Sequence, residues 1–165
     1  MAADARPRVP LLPLGLATWF GAGLMPKAPG TWGSLAALPF AWAILHYGGT
    51  WWLAGASLLV FLVGWWASAV YVAGAGTADP DEVVIDEVAG QWLTLLPAAT
   101  LVWWHWAAGF ALFRLFDIVK PWPVGWADRR VKGGLGVMLD DVIAALYAGL
   151  ALYGIILIKD TNNLF

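Results

Sequence analysis

Long uncharged stretches divide this chain. No Asp, Glu, Lys or Arg occurs from Ala28 to Ala78, from Val88 to Phe113 or from Val142 to Ile158. A bilayer core about 30 Å thick takes about 20 apolar helical residues, so the first stretch has room for two helices, and "HYGGT" at His46 to Thr50 supplies the turn between them. The pattern predicts helices over Thr31–His46 and Trp51–Ala73. In the second stretch Pro97 removes a backbone donor and disfavours helix just before it, which predicts two short helices, Asp86–Leu96 and Trp103–Lys120. The last stretch predicts a helix over Val137–Ile158. The expected fold is all-α: a polytopic membrane bundle of four to five helical segments, some short or broken, forming one domain over residues 1–165 with flexible tails at 1–10 and 159–165. Near the start, "VPLLPLGLATWFGAGLMP" holds too many prolines and glycines for a signal-peptide core and reads as a retained interfacial or re-entrant segment.

Composition points the same way. At 61% hydrophobic and 12% charged, with mean hydropathy +0.73, the chain carries more apolar surface than a 165-residue globule hides from water. Its 13 Trp suit the boundary between hydrocarbon and headgroups. With no Cys, disulfides, thiolate nucleophiles and Cys-bound zinc are excluded. If each long helix crosses, the segments around Lys27, Asp79 to Glu87 and Arg114 to Asp141 emerge on one face. Eight of the nine Lys and Arg share that face, which the positive-inside rule makes cytoplasmic, and only Lys159 lies opposite. Trp51, Trp52, Trp103, Trp104 and Trp106 mark the far side.

The charges that remain are concentrated. Nine of the eleven acids lie between Asp79 and Asp141, against five bases in the same stretch. Carboxylates crowded at low dielectric repel one another unless a cation joins them. Oxygen ligands without Cys or a nearby His suit Mg2+, with Mn2+ as a substitute, better than zinc. Helix geometry points neighbours such as Asp86 and Glu87, or Asp140 and Asp141, about 100° apart, so one of each pair is expected to face inward and meet Asp117. Two glycine-rich helix starts, "KAPGTWGS" at Lys27 to Ser34 and "VKGGLGVMLDD" at Val131 to Asp141, offer backbone N–H groups to an anion such as phosphate. An anion beside so many acids needs the metal as intermediary and flanking Lys and Arg as clamps.

Several chemistries fail against the sequence. "DPDEV" at Asp79 to Val83 fits the pattern of aspartyl-phosphate phosphatases, but that chemistry needs a doubly wound sheet. His46 and His105 fall at the far turns, away from the acids. A CDP-alcohol phosphatidyltransferase needs a spacing of acids that is missing here. A cation transporter would place acids at mid-span rather than at helix ends.

Four ordered blocks, "FGAGLMPKAPGTWGS", "VVIDEVAGQWLTLLP", "FRLFDIVKPWP" and "DRRVKGGLGVMLDDVIAALYAG", run from about Leu16 to Ala148. In them the chain resembles the bacterial phosphatidylglycerophosphatase A family. The resemblance implies a multi-pass, inner-membrane, Mg2+-dependent phosphatase facing the cytoplasm. Its substrate would be phosphatidylglycerophosphate, a membrane lipid, whose terminal phosphomonoester it hydrolyses to leave phosphatidylglycerol; no nucleic acid or obligate protein partner is expected. On that resemblance Asp86, Glu87, Asp117, Asp140 and Asp141 are the expected metal ligands, with Asp128 open between ligand and partner of Arg129. Asp86, Glu87, Asp117 and Asp141 are the expected catalytic carboxylates, and Lys27, Thr31, Ser34, Arg114, Lys120 and Arg129 the expected phosphate-binding residues.

Overall fold

A computed structural model describes residues 9–77, 80–98 and 100–162. Arg6, Arg8, Asp79 and the last three residues, on which parts of the charge and tail expectations rest, lie outside the described residues. Among the described residues the chain forms seven α-helices and no strand: α1 (Leu11–Ala17), α2 (Pro29–Gly48), α3 (Thr50–Ala75), α4 (Ile85–Leu95), α5 (Trp103–Val119), α6 (Val124–Arg130) and α7 (Gly133–Asn162). Short 3-10 turns at Ala22–Leu24 and Leu96–Ala98 join α1 to α2 and α4 to α5.

Five of these helices match the uncharged stretches, and the break at Pro97 falls where proline chemistry places it. The expected count of four to five segments is corrected by α1 and α6. Each has seven residues and is bounded by proline, Pro10 and Pro123, which is too short to show a hydrophobic period. Packing holds them instead: the backbone N–H of Val84 donates to the Ala17 carbonyl, 2.8 Å, and so ties the end of α1 to the approach to α4. The tail expected from residue 159 is also corrected, because α7 continues through Lys159 and Asp160. The Lys159 ammonium lies 4.3 Å from the centre of the Trp104 ring, a cation–π contact that fastens the end of α7 to the start of α5.

Helix α4 is the axis of the bundle. It packs against α2, α3, α5 and α7, and eight of its eleven residues are buried, Asp86 and Glu87 in its first turn being among the exceptions. Trp92 donates its indole N–H to the Ala37 carbonyl of α2, 2.9 Å away, and meets Trp19 edge to face. Glycine lets other helices close in. The fully buried Phe113 ring fills the place a side chain at Gly90 would take, and Gly134 of α7 lies directly against the α3 backbone at Trp65 and Ala69.

Two helices, α3 and α7, are long and apolar enough to cross a membrane, and in each only about a third or less of the apolar window is buried within the protein. Leu58, Leu59 and Leu62 on α3, and Leu150 and Ile158 on α7, point outward. At 11 residues, α4 spans about 16 Å and does not cross on its own.

The contact at Gly134 gives a direct test of the packing. A methyl group there meets backbone rather than a movable side chain, so Gly134→Ala is expected to destabilise the protein by about 1–3 kcal/mol, read as a lower Tm in detergent. Gly15→Ala, where nothing lies within 4 Å of the added carbon, is the control and should hold or raise Tm.

Candidate functional site

At one end of the bundle the first turns of α2, α4 and α7, the last turn of α5 and the helix α6 surround a cavity of about 490 Å3. Its wall is almost entirely chemistry: Asp86 and Glu87 from α4, Arg114, Asp117 and Lys120 from α5 and its end, Asp128 and Arg129 from α6, and Asp140 and Asp141 from α7. Backbone at Ala28–Gly30 and at Gly133 and Gly136 completes it. The residues preceding α2 and α4 give no side-chain cap, and within the first turns the Glu87 N–H donates to Asp86 Oδ1 at 3.0 Å and the Thr31 N–H to the Ala28 carbonyl at 3.0 Å.

The carboxylates sort into three sets. Asp86, Glu87 and Asp141 each bring an oxygen to within 4.8 Å of the other two. Asp117 accepts from Arg114 Nη1 at 2.6 Å, and the same nitrogen lies 3.8 Å from Glu87 Oε1. Asp128 and Asp140 share Lys120, whose Nζ is 2.5 Å from one and 2.7 Å from the other. Asp140 and Asp141 take different partners, yet both line the cavity, as do Asp86 and Glu87, so the expectation that only one of each pair faces inward is corrected. The divergence that helix geometry imposes on Asp140 and Asp141 is absent at Asp86 and Glu87. They stand on the first turn, with no preceding helix to hold them apart, and the glutamate's extra methylene lets it swing back toward its neighbour.

Glycine makes the crowding possible. A Cβ at Gly30 would fall on Glu87 Oε1 and beside Arg114 Nη1, so α2 approaches this closely only because that residue has no side chain. Ser34, one turn further along α2, is wholly buried. Its hydroxyl donates to the Gly30 carbonyl at 2.9 Å and accepts from Arg114 at 3.5 Å, which makes it a support for the arginine rather than part of the cavity wall. Lys27 is exposed, and it and Thr31 stand off the wall.

Charge pairing separates the cations. Arg114 and Lys120 are occupied by carboxylates, whereas Arg129 and Lys132 line the cavity with no ion pair among the described residues. Sequence reasoning set Lys132 aside; its place immediately before the glycine-rich start of α7 was the signal that could have found it.

Burial and the nearby Glu87 charge push the Asp86 carboxyl well above the usual carboxylate range. Glu87 is also raised, by burial first, although Asp86 and Arg114 pull the other way. Burial disfavours the charged form of Lys120, but its bonds to Asp128 and Asp140 outweigh that and raise it above its ordinary value. Two buried carboxylate oxygens, Glu87 Oε2 and Asp141 Oδ2, have no hydrogen-bond partner among the described residues. Ligand oxygens on opposite sides of a Mg2+ lie about 4.2 Å apart, so the three-carboxylate cluster, all oxygen and with two of its oxygens unpartnered, fits a divalent ion of that kind.

An unfolded Asp86 releases its proton near 3.8, while the folded one keeps it to higher pH. Across that interval the folded state binds more protons, so metal-free stability falls as pH rises. Thermal unfolding in EDTA between about pH 4 and pH 8 should show this fall in the parent and a shallower one in Asp86→Asn. Parallel profiles would contradict the raised carboxyl.

Comparison with known proteins bears on what such a site does. The family description phosphatidylglycerophosphatase A matches residues 15–156. A phosphatidylglycerophosphatase A of Escherichia coli is 43% identical over 141 residues, covering 84% of this chain and 80% of the relative. One from Haemophilus influenzae is 39% identical over 140 residues, covering 85% and 86%. A Bacteroides thetaiotaomicron protein provisionally named phosphatidylinositol-3-phosphatase is 40% identical over 148 residues, covering 86% and 91%. No solved structure matches. The match takes in every helix that builds the cavity, and this chain is a phosphatase belonging to the phosphatidylglycerophosphatase A family.

Proposed function

We propose that this enzyme hydrolyses the terminal phosphomonoester of phosphatidylglycerophosphate in a Mg2+-dependent reaction, with α3 and α7 crossing the inner membrane and the cavity opening on the cytoplasmic side. The observation that carries the reading is the meeting of Asp86, Glu87 and Asp141, two of their oxygens unpartnered, in a cavity that also presents unpaired Arg129 and Lys132. The names of the relatives share one chemistry, a phosphomonoester on the headgroup of a membrane phospholipid.

Asp86, Glu87 and Asp141 would hold the ion, which supplies Lewis-acid polarisation of the phosphoryl group and offsets charge on the leaving oxygen. Arg129 and Lys132 draw the phosphate in. Arg114 and Lys120 act differently from the clamps expected of them: each neutralises carboxylates, so that a dianion can approach a wall that would otherwise repel it. Asp117, bonded to Arg114 and facing the cavity, is the carboxylate placed to take a proton from the attacking water. Lipid tails need not leave the leaflet, because the cavity lies at the helix ends rather than in mid-bundle.

Membrane orientation follows from charge. Lys120, Arg129, Arg130 and Lys132 stand at the cavity end, whereas Lys159 and the exposed Trp51, Trp52 and Trp103 mark the other. The outward Leu and Ile of α3 and α7 match a lipid boundary, since a soluble helix of such hydropathy would be buried. A transporter reading lacks the mid-span acids it requires.

Phosphate release by purified protein should require a divalent cation and favour phosphatidylglycerophosphate over phosphatidylinositol 3-phosphate. Asp141→Asn should lose more than about 100-fold in kcat, while Lys132→Gln should raise KM with kcat little changed. Turnover undiminished by EDTA, or full activity in Asp141→Asn, would sink the metal reading.

A further inference from the structure

One acid of the cavity wall has no part in the chemistry described so far. Asp81 lines the cavity, yet it stands outside the cluster of Asp86, Glu87 and Asp141 and has no ion pair among the described residues. It belongs to the "DPDEV" stretch, whose likeness to a phosphatase nucleophile motif finds no sheet to support it among the described residues.

The turn that carries Asp81 is held from both sides. The Val83 N–H donates to the Pro80 carbonyl, 3.1 Å, and closes a turn with Asp81 and Glu82 at its centre. Pro80, Val83 and Val84 are buried, and the Val84 N–H is spent on the Ala17 carbonyl. A Cβ at Gly23 would fall on the Glu82 carbonyl, so the 3-10 turn at Ala22–Leu24 presses directly against this one. Of the two exposed acids at the tip, Asp81 lines the cavity and Glu82 does not. These contacts fix the place of the Asp81 backbone on the cavity rim.

A carboxylate without a cation in the wall of a cavity that takes a phosphate is unfavourable by charge alone. It has only acceptor oxygens to offer, so it favours a substrate that brings a donor of its own. Phosphatidylglycerophosphate has one. The glycerol between its two phosphates carries a free hydroxyl, on the carbon next to the one that bears the terminal phosphate. Phosphatidate, with its phosphomonoester directly on diacylglycerol, has none. In a cavity of about 490 Å3 that Asp81 and the carboxylate cluster both line, a headgroup with its terminal phosphate at the cluster keeps this hydroxyl within the same space.

We propose that Asp81 is a specificity-determining residue that accepts a hydrogen bond from the glycerol hydroxyl of the headgroup, and so selects a phosphomonoester with a neighbouring hydroxyl over one without. The assignment rests on the substrate proposed above. A hydrogen bond to a charged acceptor is among the stronger ones, and a lipid that lacks the hydroxyl leaves carboxylate and phosphate facing each other with nothing gained between them.

Phosphate release from phosphatidylglycerophosphate and from phosphatidate of the same acyl chains, in mixed micelles with Mg2+, reads this selectivity as a ratio of kcat/KM. The parent should favour phosphatidylglycerophosphate by about 10-fold or more, and Asp81→Ala should lose about that factor. The loss should fall on phosphatidylglycerophosphate, while phosphatidate holds or gains as a repelling charge is removed. Asp81→Asn, which keeps an acceptor without the charge, should lie between. Glu82→Ala, at the same tip but off the cavity, should keep the parent ratio. A parent that hydrolyses phosphatidylglycerophosphate without preferring it, or an Asp81→Ala in which both substrates fall together as for a metal-binding or structural role, overturns the proposal and leaves the function above intact. If Asp81→Ala does not fold, the parent ratio in Asp81→Asn overturns it equally. No phosphate release from phosphatidylglycerophosphate by the parent refutes the function itself, and this assignment with it.

Discussion

Six helix-borne carboxylates, with Asp81 of the loop before α4 a seventh, line one small cavity at the end of an apolar bundle, and their mutual repulsion is the constraint to which the rest of the structure answers. Two cations from one stretch of chain meet half of it. Arg114 takes Asp117 and leans toward Glu87, and Lys120 ties Asp128 to Asp140. What is left over, Asp86, Glu87 and Asp141, has no protein cation of its own in full contact. Carboxylates sunk at the end of an apolar bundle have less water available to absorb that charge than surface ones do. That residual charge is what the proposed divalent cation would offset.

The packing serves this arrangement. A short central helix, buried along nearly its whole length, presents its first turn to the cavity, and glycines at 30, 90 and 134 bring the surrounding helices close enough to set acids from α4, α5 and α7 around one space. Because α4 ends at Leu95, just before the turn at Pro97, its acidic first turn opens on the cavity while its remainder stays inside the bundle. Buried Ser34 shows how far the support reaches: it never touches the cavity, yet it fixes the arginine that does.

Much of this was legible in the sequence because charge and helix period are local properties. The uncharged stretches located five helices, Pro97 marked the break, and the crowding of acids between Asp79 and Asp141 located the site. Helices α1 and α6 were not legible, since seven residues between prolines carry no period and are held by contacts with distant segments. The three-way sorting of the acids was hidden for a related reason. A 100° step separates Asp140 from Asp141 inside a helix, but it does not separate Asp86 from Glu87 at a helix start. The ion pairs of Arg114 and Lys120 were hidden because their partners lie up to 27 and 20 positions away in the chain. Lys132 was not singled out although it stands immediately before the glycine-rich start of α7; its place in the cavity wall shows only once the chain is folded.

Crystals soaked in Mn2+ give the most direct measurement of the central claim, since anomalous scattering marks the ion without reference to activity. The account predicts a peak within about 2.3 Å of carboxylate oxygens from Asp86, Glu87 and Asp141, lost in Asp141→Asn. A peak at Asp128 and Asp140 in place of Lys120, or none in this cavity, would contradict it.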